Sequence, residues 1–134
     1  MIVLDTHVWF WWQTEHPRLP PSLESAIEGA FRTGTSVGVS VISCWELGML
    51  IDKNRLHLDE PLSDWIRGAL GDAGIETLGL SPATALAAAS LPGNIHGDPA
   101  DRIIVATARV HEARLLTVDR KLLSYKHVRT EATE

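Results

Sequence analysis

Two short apolar runs in this chain each lead into an aspartate. Ile2-Val3-Leu4 is followed by Asp5, and Leu115-Leu116-Thr117-Val118 by Asp119. Runs this short and this apolar, without polar alternation, read as strands buried on both faces. The segments between them have helical signals. A helix is expected over 6–13, and Pro17, Pro20 and Pro21 then break the chain. Pro21 is a suitable first helical residue, and Leu23, Ile27, Ala30 and Phe31 recur at helical spacing until Gly34. Residues 36–40 read as a strand, 41–52 as a helix, 62–70 as a helix with Trp65, Ile66 and Ala69 inward, and 74–80 as a strand. Ser81-Pro82 opens a helix ending near Leu91, a Gly/Pro loop follows, and a helix over 99–112 precedes the last strand. Short apolar strands separated by helices specify an α/β domain with a central, mostly parallel sheet flanked by helices. In such sheets ligands bind outside the carboxyl ends of the strands, where both aspartates fall.

The 134 residues match one domain, spanning 1–134, with Thr130–Glu134 as a frayed end. The apolar stretch Val8–Trp12 is far below the ~20 residues of a membrane span, and no basic residue precedes it as in a signal peptide. A cytoplasmic location without membrane contact is expected. One cysteine, Cys44, allows neither an internal disulfide nor a multi-cysteine metal site. The net charge of −5 argues at first against a nucleic-acid partner. The charge is uneven, however. Between Arg102 and Arg129 seven Lys/Arg face two acids, so this stretch is +5 and the remainder −10.

Several carboxylates occupy positions that packing alone does not explain. On a helical wheel Glu46 falls about 40° from Ile42, inside the apolar arc of its helix. A capping box with Ser43 is the competing account, but Ser40 is the better cap because Val41 and Ile42 already read as helical. Asp98 before Pro99 has the form of an N-cap. Asp101 stands at the third helical position, where the helix dipole favours an acid. Asp5, Glu46, Asp101 and Asp119 then converge on one rim. Unit charges ~4 Å apart repel by about 4 kcal/mol at an effective dielectric near 20, so such a cluster calls for a cation. An all-oxygen site suits Mg²⁺ or Mn²⁺, and phosphodiester hydrolysis is the chemistry these ions serve.

Four stretches, in order and spacing, carry a resemblance: Met1-Ile-Val-Leu-Asp5-Thr-His-Val-Trp-Phe-Trp11, Ser40-Val-Ile-Ser-Cys-Trp-Glu46-Leu-Gly48, His96-Gly-Asp98-Pro-Ala-Asp101-Arg-Ile-Ile-Val-Ala-Thr-Ala108, and Leu115-Leu-Thr-Val-Asp119. Together they resemble the PIN-domain ribonucleases, and more narrowly the VapC-type toxins of bacterial toxin–antitoxin pairs. The resemblance spans essentially the whole chain. It implies a PIN-like three-layer α/β/α fold and Mg²⁺- or Mn²⁺-dependent endonucleolytic cleavage of single-stranded RNA. It also implies a homodimer neutralised by a VapB-type antitoxin in a heterotetramer or larger assembly. By position, Asp5, Glu46, Asp101 and Asp119 match the family's acidic quartet, with Asp98 as an accessory acid and Thr6 and Thr117 as hydroxyls that orient the carboxylates or metal water. Asp5 and Asp101 are expected to ligate the ion, and Glu46 and Asp119 to position it or the attacking water.

Arg102 and Arg109, seven residues apart on one helical stripe, are candidates for the RNA backbone. His7 is a candidate to approach the site, although a packed or surface role is the plainer reading. The adjacent aromatics Trp9, Phe10, Trp11 and Trp12 span about 300° of arc, so some are expected to be exposed or to meet a partner protein. Trp45 and Trp65 read as core. Other classes fit less well: a haloacid-dehalogenase-type phosphatase needs a second acid at His7, and a receiver domain needs paired acids near the first strand. A PIN fold with a non-toxin role in RNA processing or as an interaction module is the alternative, against which the complete quartet counts.

Overall fold

The first strand, β1 (Ile2–Leu4), alternates its side chains between two cores. Ile2 and Leu4 point to one face of the sheet and Val3 to the other, and all are fully buried. A computed structural model of the chain describes residues 1–130. In chain order the elements are β1, α1 (Thr6–Gln13), α2 (Pro21–Thr33), β2 (Val37–Ser40), α3 (Val41–Asp52), α4 (Leu62–Arg67), β3 (Glu76–Leu78), α5 (Pro82–Ala89), α6 (Pro99–Val110), β4 (Arg114–Leu116) and α7 (Arg120–Leu123). The strands pair in parallel in the order β3-β2-β1-β4. Helices cover both faces, giving a three-layer α/β/α arrangement. On one face α1 to α4 bury Val8, Trp9, Leu23, Ile27, Leu47 and Trp65. On the other, α5 to α7 bury Ala88, Ile104, Val105, Ala108 and Leu122.

The connections place the functional edge. The chain moves outward from β1 to β2 to β3, then crosses back through α5 and α6 to lay β4 on the free side of β1. Strand order therefore reverses between β1 and β4. Loops leaving the carboxyl ends of these two strands diverge there and leave a crevice, the usual ligand position in open α/β sheets.

Local chemistry sets the element ends. Gly34 closes α2 in the left-handed region (φ 74°), which glycine adopts without a Cβ clash. Gly38 allows β3 to approach β2, since a Cβ there would stand 2.7 Å from Leu78 Cδ1. The helix expected over 62–70 stops at Arg67 and continues as one π turn, Gly68–Asp72. That turn brings the Ala69 carbonyl to the buried Trp9 indole N–H, 2.9 Å away.

Several expectations are corrected. The strand expected over 74–80 contracts to three residues. The last strand begins at Arg114 and leaves the sheet after Leu116, because Thr117 turns its hydroxyl to Asp5. The short helix α7, capped by Asp119, is too brief to show periodicity in the sequence. Trp45 is not core but 57% exposed. Its helix is apolar on most sides, so the wheel alone does not identify Ser43 and Leu47 as the buried positions. Trp65 is buried. In the aromatic cluster Trp9 and Phe10 are buried, while Trp11 and Trp12 are half-buried and covered within the chain. Trp12 stacks on Phe31 at 5.5 Å and Trp11 on His16 at 5.9 Å. Thr130 is not frayed: it bridges to Leu115 in parallel, and residues 131–134 lie outside the described residues. Among the described residues no helix is long and apolar enough to cross a membrane.

Candidate active site

Asp5 follows β1 directly and caps α1, accepting the Thr6 backbone N–H at Oδ1 (2.9 Å). Its second oxygen accepts the Thr117 hydroxyl at 2.6 Å, and Thr117 is itself fully buried. The same hydroxyl oxygen accepts the Asp119 backbone N–H at 3.0 Å. One threonine at the end of β4 thus links the two aspartates that follow the neighbouring strands. Asp119 in turn caps α7 through Lys121 and Leu122.

Glu46 enters from the second turn of α3, where Ser40 supplies the N-cap. Ser43 is therefore not part of a capping box. Its Oγ lies 2.8 Å from the Thr6 hydroxyl, which donates to Glu46 Oε1 at 2.5 Å. Asp101 comes from the first turn of α6. Its backbone N–H is accepted by Asp98, the N-cap, at 3.0 Å, and its Oδ2 accepts from His96 Nε2 at 2.7 Å.

These groups line one open cavity of about 390 Å³, which Asp5, Thr6, Glu46, Asp98, Asp101 and Asp119 share with His7, Trp11, Arg18 and Val118. The structure thus brings the four expected acids together with Asp98 and Thr6, and Thr117 stands behind them. Mutual proximity is visible in their acidities. Burial, and then the nearby Asp5, Asp101 and Asp98 charges, push Glu46 up to about 7 against the bond from Thr6. Burial raises Asp5, opposed by Thr117 and Thr6 and assisted by Asp101. Asp101 is raised by burial, opposed by His96 and assisted by Asp98 and Asp119. Burial dominates each shift, and the neighbouring carboxylates add to it.

The donor set fits a hard divalent cation. It is all oxygen, and Glu46 Oε2, Asp101 Oδ1 and Asp119 Oδ2 accept no hydrogen bond among the described residues. Among the described residues no group of three or more His, Cys, Asp or Glu side chains is placed to hold a metal ion, so the fit is one of donor chemistry and not of an assembled cage. The protein donors hold one oxygen of each of these three acids and leave the other available.

Arg102 and Arg109 are placed elsewhere. Arg102 donates to the Ala88 and Ala89 carbonyls at the end of α5, and Arg109 to the His127 carbonyl. Arg129 likewise holds the Glu112 carbonyl. These cations of the +5 segment tie backbone together and do not line the acidic cavity. The sequence reading missed Arg18, His96 and Ser43. Ser43 and His96 stand three and five residues before Glu46 and Asp101, a spacing that could have pointed to them, whereas Arg18 reaches the site only through folding. His7 does border the cavity, with its ring 5.6 Å from that of Trp11.

Comparison with known proteins agrees with this fold. A model of the PIN domain matches residues 2–128. Ribonuclease VapC22 from Mycobacterium tuberculosis is 39% identical over 128 residues, covering 96% of this chain and 94% of that protein. VapBC2 from Rickettsia felis, solved bound to a DNA fragment from its promoter, superposes with TM-score 0.73 and 20% identity over 100% of each chain. FitAcB from Neisseria gonorrhoeae superposes with TM-score 0.65 and 19% identity, over 98% of this chain and 97% of that one. Fold and sequence kinship agree: the chain belongs to the PIN-domain family, as a VapC-type member.

Proposed function

We propose that this protein is a Mg²⁺- or Mn²⁺-dependent endoribonuclease that cleaves single-stranded RNA, with Asp5, Glu46, Asp101 and Asp119 as its active-site acids. The observation that carries this reading is the convergence of those acids, from four separate parts of the chain, on one open cavity. Kinship to a VapC ribonuclease supports RNA as the substrate and the role of toxin in a toxin–antitoxin pair. A VapB-type antitoxin is then the partner, a homodimer or a larger complex with it the assembly, and the cytoplasm the place of action.

Asp5 and Asp101 would hold the ion, and Glu46 and Asp119 would position it or the attacking water. Such an ion, when bound, activates water and offsets charge developing on the phosphoryl group. The chain itself fixes the geometry. Thr117 and the Thr6 N–H hold both oxygens of Asp5, while His96 holds one oxygen of Asp101. Thr6 orients Glu46 through a hydroxyl bond to Oε1. Asp98 acts as a cap that fixes the start of α6.

Asp5→Asn or Asp101→Asn tests the assignment. Each should abolish cleavage of a single-stranded RNA oligonucleotide in Mg²⁺ while leaving the far-UV circular dichroism unchanged. Full cleavage by either variant would sink the mechanism.

A further inference from the structure

The acidic cavity poses a problem for a polyanionic substrate. Five carboxylates border it, and Arg18 is the single Lys or Arg lining it among the described residues. Arg18 comes from the loop between α1 and α2, and that loop is held at several points. The His16 N–H donates to the Trp11 carbonyl at 2.8 Å, the Arg18 N–H to His16 Nδ1 at 3.1 Å, and the Leu19 N–H to the His16 carbonyl at 3.2 Å. Leu19 is buried, and Pro17 and Pro20 restrict the backbone on either side.

The side chain is placed as well. The Arg18 guanidinium carbon lies 5.2 Å from the ring centroid of Trp11, within cation–π range. Trp11 in turn packs against the rings of His7 at 5.6 Å and His16 at 5.9 Å, which hold its position. Arg18 forms no ion pair, and its guanidinium donates no hydrogen bond among the described residues. Its fork of N–H donors is therefore unspent, exposed and held beside the acids. A planar guanidinium in that state matches the paired oxygens of a phosphodiester.

We propose that Arg18, supported by Trp11, is the residue that grips an RNA phosphate at the mouth of the acidic cavity. It lowers the repulsion that the carboxylates impose on the incoming strand and orients that strand for cleavage. Part of the aromatic cluster thereby acquires a role, since Trp11 is a positioning residue for Arg18. The inference rests on the ribonuclease reading of the same cavity.

The test measures steady-state cleavage of a fluorogenic single-stranded RNA oligonucleotide at several KCl concentrations. The proteins are wild type, Arg18→Ala, Arg18→Lys and Trp11→Leu. Arg18→Ala should lower kcat/KM by about 10- to 100-fold, the range for loss of a charge-assisted hydrogen bond. Its log–log salt dependence should flatten by about 0.7, the share of one phosphate contact on a single strand. Arg18→Lys should recover part of both effects, and Trp11→Leu should raise KM more than it lowers kcat. The rise in melting temperature on adding Mg²⁺ should match wild type in both Arg18 variants, because the exposed side chain holds no carboxylate. Wild-type kcat/KM and salt slope in Arg18→Ala would overturn the inference while leaving the ribonuclease reading intact. So would a variant that cleaves normally but escapes inhibition by its antitoxin, which would assign Arg18 to a protein partner. A wild-type protein that cleaves no RNA would instead overturn the reading beneath it.

Discussion

Replacing Glu46 by glutamine should make the metal-free protein more stable at alkaline pH while impairing it as an enzyme. Glu46 is raised from an ordinary 4.5 to about 7 by burial and by neighbouring acids. The folded state therefore holds this proton more tightly than the unfolded chain does. Stability contributed by the group is complete below 4.5 and is lost as pH climbs from 4.5 through 7, the reverse of a salt-bridged carboxylate. The full difference corresponds to at most about 3.4 kcal/mol at 1.36 kcal/mol per pKa unit. Glu46 is only half-buried, and solvent screening reduces this to on the order of 1–2 kcal/mol. Glutamine keeps an oxygen for the Thr6 hydroxyl and carries no charge to desolvate. In EDTA at pH 8 its melting temperature should exceed wild type by roughly 4–7 °C for a chain of this size. At pH 5 the two proteins should nearly coincide. Saturating Mg²⁺ should close the gap by stabilising wild type more than the variant, and RNA cleavage by the variant should fall at least tenfold. Differential scanning fluorimetry across pH 5–8 with and without Mg²⁺ makes the measurement. A variant equally displaced from wild type at pH 5 and pH 8, or less stable at pH 8, would refute the electrostatic argument.

Thr117→Val keeps the shape of a fully buried side chain but removes the donor to Asp5 and the acceptor of the Asp119 N–H. Chemical denaturation should show a loss of about 1–3 kcal/mol, and cleavage should drop because Asp5 and Asp119 lose their common support. Arg102→Met removes a guanidinium that ties the last carbonyls of α5, so it should cost about 1 kcal/mol in denaturation. Its kcat/KM on RNA should stay within about twofold of wild type, since Arg102 does not line the cavity.

Much of the architecture was legible because short-range rules decided it. Ile2–Leu4, Val41–Asp52 and the start of α6 at Pro99 follow from apolar runs, caps and proline placement, each acting within one or two turns of chain. The acids were legible for a related reason. A carboxylate just after a buried strand, or on the apolar arc of a helix, conflicts with its surroundings, and the conflict is written locally at Asp5 and Glu46. Patterning did not reach the ends of β3 and β4, the four-residue α7 or the π turn at Gly68–Asp72, because these depend on partners far along the chain. The Trp9 indole finds the Ala69 carbonyl 60 residues away, and Thr117 finds Asp5 112 residues away.

The sequence alone determined that this chain builds a buried parallel sheet and gathers acids at the carboxyl ends of its strands, since the periodicity and the misplaced charges are local properties. Only the tertiary structure decided which cations remain free for a substrate. Arg102 and Arg109, in or beside the motif in sequence, hold backbone carbonyls away from the cavity, whereas Arg18, distant in sequence from three of the four acids, lines the same cavity as all of them with its guanidinium on the Trp11 ring. Whether a charge is used or unspent depends on the groups that surround it after folding, and one-dimensional spacing does not carry that information.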